Sequence, residues 1–278
     1  MRTIPLAHQQ TLTLALPAIL MGIINVTPDS FSDGGLWQQA ESAVAQGVRL
    51  AGEGAAILDI GGESTRPGSS PVDADEEIRR IVPVIQGLRR ATSLPLSVDT
   101  MKAKVARAAL EAGAAVVNDV WGFQFDPDIA QVAADYGAAC VLMHNRRDID
   151  PAADMIAEVK DFWARSIDLA LRAGVRPEQI LLDPGFGFGK TPEQNLQLVH
   201  HLPELMSLNC PILLGVSRKS TIGRITRQAV AAERIPGTLA AGLYGVQQGA
   251  AVLRVHDVAA HRQALQVWQA IADVSLPP

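Results

Sequence analysis

Eight short apolar runs, each ending in polar residues and separated by stretches of helical period, constrain this chain more than any other feature. They cover residues 19–26, 56–60, 94–98, 115–118, 138–144, 180–183, 212–216 and 251–255. Runs this short and this rich in Val, Ile and Leu fit strands buried on both faces. The intervening helical patterns span 37–51, 76–90, 102–112, 127–136, 155–173, 194–205, 238–249 and 259–271. Start signals agree with them. Thr191-Pro192-Glu193-Gln194 combines an N-cap Thr, Pro at the first helical position and Gln at the capping-box position. Asp73 with Glu76, and Thr100, are further cap candidates, while Gly113, Gly137, Gly174 and Gly249 stand where helices should stop. Eight βα units without a composition break predict an α/β fold, a (β/α)8 TIM barrel forming a single domain over residues 1–278. Residues 1–18 are expected to form a strand pair covering the barrel bottom.

The composition supports such a core. Hydrophobic residues make up 48% of the chain against 19% charged, which excludes a mainly disordered protein. Only 4% are aromatic, so the core is expected to rest on Val, Ile, Leu and Ala. Phe31, Phe123, Phe125, Phe186 and Phe188 fall in predicted βα loops, with Phe162 alone in a helix. A net charge of −5 argues against broad nucleic-acid binding. Cys140 and Cys210 sit in apolar runs, which suggests reduced, buried thiols rather than a disulfide framework. The run 19–26 is too short to span a bilayer, and no export-type cleavage site follows it. A cytoplasmic protein without membrane contact is expected.

Active sites of this fold lie at the C-terminal ends of the strands. Those ends here carry Asn25, Asp59, Asp99, Asn118, His144, Asp183, Ser217 and His256. After the first strand, Asn25, Asp29 and Asp33 offer oxygen ligands suited to Mg²⁺, and Gly34-Gly35 makes the loop pliable. A polar turn fits the same residues. After the second, Gly61-Gly62, Ser64, Thr65 and Arg66 favour an anion, although a lone loop Arg is otherwise a solvated charge. Asp59, Asp99, Asp119 and Asp183 converging on one mouth are costly unless a metal, a cation or hydrogen-bond donors meet them. A nitrogen-rich heterocycle would supply the donors.

Gly189-Lys190-Thr191 imitates the end of a P-loop, but Pro184 stands where the motif needs its first glycine. A nucleotide site is therefore rejected. Ser217-Arg218-Lys219-Ser220 reads either as an anion site at a helix start or as a basic surface turn. Arg254 and His256 share one side of the last strand, facing one anion, with Asp257 placed to cap the next helix. His8, His200, His201 and His261 read as surface residues. No zinc spacing, serine elbow or cysteine with a base partner is present in the sequence.

The segments 25–35, 63–68, Asp99, Asn118-Asp119, 183–190, 217–220 and 254–256, in this order, resemble the dihydropteroate synthase family. The resemblance extends from Asn25 to Asp257. It implies a folate-biosynthesis transferase that joins 6-hydroxymethyl-7,8-dihydropterin diphosphate to 4-aminobenzoate, a sulfonamide target and a homodimer. Asp99, Asn118, Met143, Asp183, Gly215 and Lys219 are then expected to bind the pterin. Asn25 would bind Mg²⁺ beside the diphosphate, with Thr65, Arg66, Arg254 and His256. Phe31, Pro67, Phe188 and Ser220 would form the aminobenzoate subsite. Asp99, Asp59, Asp33 and Lys219 make up the expected catalytic set. Two segments depart from the family pattern: 144–148 (His-Asn-Arg-Arg-Asp), and Phe123-Gln124-Phe125. The rival functions are a pterin-dependent methyltransferase, which needs no diphosphate clamp, and a pterin-binding paralogue without turnover.

Overall fold

Strand and helix alternate as the apolar runs require. The computed structural model describes residues 2–27, 36–64 and 70–274. Eight parallel strands close into a barrel: β3 (Ile19–Asn25), β4 (Ile57–Gly61), β5 (Leu96–Asp99), β6 (Val116–Asp119), β7 (Ala139–Met143), β8 (Ile180–Asp183), β9 (Ile212–Leu214) and β10 (Ala250–Val255). β10 pairs with β3 in parallel register, Val252 opposite Ile19, which closes the ring. Nearly every residue of β4 to β9 is buried, because helices cover the outer face and side chains fill the interior.

The covering helices are α1 (Leu36–Glu53), α2 (Ala74–Ala91), α3 (Ala103–Ala112), α4 (Asp128–Tyr136) and α5 (Met155–Ala173) in the first half. The second half has α6 (Pro192–His200), α7 (Leu202–Leu205), α8 (Ser220–Thr226), α9 (Ile235–Gln247) and α10 (Val258–Asp273). Expected caps form. Asp73 accepts the Glu76 N–H at 2.9 Å, and Thr191 and Gln194 complete a capping box at the start of α6. Each such cap contributes about 1 kcal/mol. The helix expected over 194–205 breaks at His201, because Pro203 has no N–H to continue the ladder and instead sits in the first turn of α7.

Ahead of the barrel, β1 (Arg2–Pro5) and β2 (Thr11–Leu14) pair antiparallel. They lie against the N-terminal ends of the barrel strands. The Ala7 N–H donates to Ala115 O at 3.4 Å, and Gln179 Nε2 donates to Gly137 O at 2.6 Å beside Pro5 O.

Several expectations about the core need correction. Aliphatic residues do dominate, but Trp163 is the largest fully buried side chain, with Phe123 and Phe186 buried as well. A buried indole is tolerated because its N–H donates to Asp183 O at 3.3 Å. His261 is buried rather than superficial, with Nδ1 2.8 Å from Asp257 O. Cys140 is buried, whereas Cys210 is only partly so. No helix among the described residues is long and apolar enough to cross a membrane.

Candidate active site

Strands β4, β5, β6, β8 and β10 deliver charged or amide groups to the end of the barrel where Asn25 closes β3. Asp59 on β4 is fully buried, and its Oδ2 accepts from Asn118 Nδ2 on β6 at 3.0 Å and from Arg254 Nε on β10 at 2.6 Å. A second nitrogen of the same guanidinium, Nη2, donates to Asp99 Oδ2 on β5 at 2.6 Å. One Arg thus ties together carboxylates from neighbouring strands, a fork geometry that a lysine ammonium does not reproduce. Asp59 Oδ1 and Asp99 Oδ1 are buried and lack a hydrogen-bond partner among the described residues. Leaving a buried acceptor unmet costs about 1–3 kcal/mol, which a ligand donor would recover.

Burial raises Asp99 above the ordinary carboxyl range, to about 7; Arg254 opposes the shift and Asp59 adds to it. Burial likewise raises Asp183 on β8, against the Gly185 N–H, Lys219 and Arg254. Asp183 Oδ1 accepts that N–H at 2.7 Å. Arg254 is held even more firmly protonated than usual: burial works against its charge, but Asp59 and Asp99 more than compensate.

These groups surround a pocket lined by Asp99, Asn118, Met143, Asp183, Gly215, Lys219 and Arg254, together with Val120, Phe186 and Phe188. All six residues expected to bind the pterin line it. Lys219 Nζ stands 4.0 Å from the centroid of the Phe188 ring, so the cation and the aromatic wall pack together. Val120 was not expected, and Phe186 only as one of the loop aromatics. Both follow strand ends already singled out, and their position one to three residues beyond Asp119 and Asp183 is the signal that would have found them.

Asn25 ends β3 and is partly buried, and His256 follows β10. The His256 ring is held by Ser217: Oγ lies 2.9 Å from Nδ1 and also accepts the His256 backbone N–H at 3.2 Å. Neither Asn25 nor His256 lines the pocket, and Ser220 opens α8 as an exposed residue outside it. Phe31, Asp33, Thr65, Arg66 and Pro67 lie outside the described residues.

Three expected roles change. Asp119 does not join the carboxylates at the mouth; it turns into its own loop and accepts the N–H groups of Trp121 at 2.8 Å and Phe123 at 2.7 Å. Burial raises it to about 7 against those two bonds. Arg218 does not face an anion, because Asp257 takes its guanidinium in two parallel bonds, Nε to Oδ2 at 2.9 Å and Nη2 to Oδ1 at 2.5 Å. Asp257 is thereby diverted from capping α10, whose N-cap has no side-chain bond.

A closed α/β barrel with an aromatic wall, a lysine and buried carboxylates seeking N–H donors defines a barrel enzyme with a site for a planar, donor-rich ligand. The model of the family described as pterin binding enzyme matches residues 21–256. The dihydropteroate synthase of Synechocystis sp. is 47% identical over 258 residues, covering 91% of this chain and 89% of that protein. The Xanthomonas albilineans dihydropteroate synthase with 4-aminobenzoic acid superposes with a TM-score of 0.92 at 49% identity, covering 97% of this chain and 99% of that one. The same enzyme in complex with 7,8-dihydropteroate gives 0.89 at 47% identity, covering 97% and 98%. The chain belongs to the dihydropteroate synthase family and is a transferase.

Proposed function

We propose that this protein condenses 6-hydroxymethyl-7,8-dihydropterin diphosphate with 4-aminobenzoate, giving 7,8-dihydropteroate and pyrophosphate. The observation that carries the reading is the convergence of Asp99, Asn118, Asp183 and Lys219 on one pocket. The unmet oxygen of Asp99 suits the N–H edge of a pterin. In this reading Met143 and Gly215 shape the ring's slot, and Phe188, with Phe31, Pro67 and Ser220, receives 4-aminobenzoate. Asn25, Thr65, Arg66, Arg254 and His256 receive the diphosphate. Arg254 commits its Nε N–H to Asp59 and one Nη2 N–H to Asp99, so its remaining donors are on Nη1 and the second Nη2 N–H.

Among the described residues no three His, Cys, Asp or Glu side chains gather into a metal cage. Mg²⁺ accepts a sparse protein ligand set completed by substrate phosphate and water, and the Asn25 oxygen fits that role, with Asp33 as a second candidate. The ion supplies neutralisation of diphosphate charge.

The chain's own groups then act in sequence. Arg254 and His256 stabilise the departing diphosphate as the C–O bond to the pterin methylene breaks and the oxygen keeps the electron pair. The methylene is left cationic, its charge spread into the ring and stabilised by ionised Asp99 with Asp59. Lys219 fixes the ring, and the neutral amine of 4-aminobenzoate forms the new C–N bond, releasing one proton. The resemblance also implies a homodimer in the cytoplasm; a one-subunit mass by sedimentation equilibrium would overturn the dimer.

The test mixes purified protein, Mg²⁺, the pterin diphosphate and radiolabelled 4-aminobenzoate. Labelled 7,8-dihydropteroate is expected, with competition by a sulfonamide. No product beside an active control synthase, or methyl transfer from methyltetrahydrofolate instead, would overturn the reading.

A further inference from the structure

Lys190 is buried, yet its ammonium makes its hydrogen bonds to main-chain carbonyls rather than to a carboxylate. Nζ donates to Gly185 O and Phe188 O, each at 2.9 Å, and to His144 O at 3.5 Å. Burying an ammonium is costly unless its N–H groups are all met, and three carbonyls match its three donors. Burial lowers its pKa to about 7, with Asp183 opposing. The result of that expense is a fixed loop rather than an ion pair.

The loop between β8 and α6 is tied at almost every residue. Gly185 (φ +70°) lies so close to the preceding βα loop that a Cβ would fall 1.9 Å from His144 O. At Gly189 (φ +58°) a Cβ would fall 2.4 Å from Arg146 O. Only glycine meets both the left-handed conformation and the close approach. Asn195 Oδ1 accepts the Gly187 N–H at 2.6 Å, Gly185 O accepts the Phe188 N–H at 3.1 Å, and Arg146 Nε donates to Gly189 O at 2.5 Å. Arg146, in one of the two segments that depart from the family pattern, thus braces the same loop from outside. What the loop presents is Phe188, whose ring meets Lys219 Nζ at 4.0 Å in the pocket wall. Gly187 backs the stem of the same lysine, its Cβ position being 3.0 Å from Lys219 Cδ.

We propose that Lys190 is a positioning residue for the reaction: by gripping the carbonyls of Gly185 and Phe188 it sets the Phe188 ring against Lys219. The inference rests on the functional reading above, in which Phe188 serves 4-aminobenzoate and Lys219 the pterin. Lys190 itself does not line the pocket. Its influence travels through one ring, and this separates it from a residue that merely keeps the barrel folded.

The experiment is a double-mutant cycle on the full chain, measuring kcat and both KM values for wild type, Lys190→Met, Phe188→Ala and the double variant. Lys190→Met is expected to raise KM for 4-aminobenzoate by about tenfold, with kcat changed by less than about threefold. In the Phe188→Ala background the same substitution should add less than about twofold, because the ring it positions is gone. Should Lys190→Met fail to fold, Lys190→Gln retains two N–H donors and enters the same cycle with an expected shift of about threefold. Multiplicative effects, or an unchanged KM in a folded variant, would overturn the positioning role. Wild type that forms no dihydropteroate would instead sink the functional reading itself.

Discussion

The two ends of the barrel are built from the same strands but solve opposite problems. At the bottom, the polar contacts that tie the N-terminal segment down run to main-chain carbonyls: Arg2 Nη1 donates to Asn209 O at 2.9 Å, Gln179 Nε2 to Pro5 O at 3.5 Å, and His8 Nε2 lies 3.0 Å from Ala114 O. At the mouth, Asp59, Asp99 and Arg254 hold buried charge, and two carboxylate oxygens have no partner among the described residues. Buried ion pairs are weak contributors to stability and strong determinants of local electrostatics. The mouth therefore sacrifices stability for a field suited to a ligand, whereas the bottom carries no comparable cluster of buried charge among the described residues, although the buried Gln10 amide lacks a partner there. Activity and stability should separate along the barrel axis.

The strongest challenge to that separation is Arg254→Met, which strands two carboxylates. It should destabilise the fold by about 3–5 kcal/mol in urea titrations and reduce kcat/KM at least 1,000-fold, because the same group serves both the pair and the diphosphate. A smaller change, Asp99→Asn, should lower kcat/KM by about 100-fold while moving the melting temperature only a few degrees. Retention of wild-type turnover would remove Asp99 from the reacting centre.

pH offers a milder probe. Asp99, raised to about 7, must be ionised to stabilise the cation, so kcat/KM should fall as pH drops below about 7. A flat profile from pH 5 to pH 8 would contradict this. Asp119 acts on stability with the opposite trend. Its folded value is raised from 3.8 to about 7, so its contribution is fully present below the unfolded pKa and is lost as pH rises through about 7. Asp119→Asn should flatten that part of the stability profile. At the bottom, Gln179→Ala should cost about 1–3 kcal/mol and leave kcat/KM within about twofold.

Much of this was legible in the residue order. Period and run length marked all eight barrel strands, because strands covered on both faces leave continuous apolar signatures. The pocket was legible for a related reason: Asp99, Asn118 and Asp183 interrupt apolar runs at strand ends, and all three line it. Pairing was not legible. Arg218 and Lys219 are adjacent and chemically alike in sequence, yet one turns to Asp257 and the other to the pocket. Asp119 directly follows Asn118 and points into its own loop, because alternate strand residues face opposite ways. His261 looked like a surface residue because helical period alone does not say how deeply α10 packs. Which cation a carboxylate takes depends on contacts more than 30 residues apart, as for Arg218 with Asp257 and Arg254 with Asp59.

The most direct measurement compares Asp99→Asn with Gln179→Ala in one synthase assay, each variant also unfolded in urea. A loss of about 100-fold in kcat/KM for Asp99→Asn, with Gln179→Ala active but less stable, is the predicted result. Equal losses of activity at both ends of the barrel, or an Asp99→Asn enzyme that turns over like wild type, would contradict the assignment of catalysis to the charged mouth.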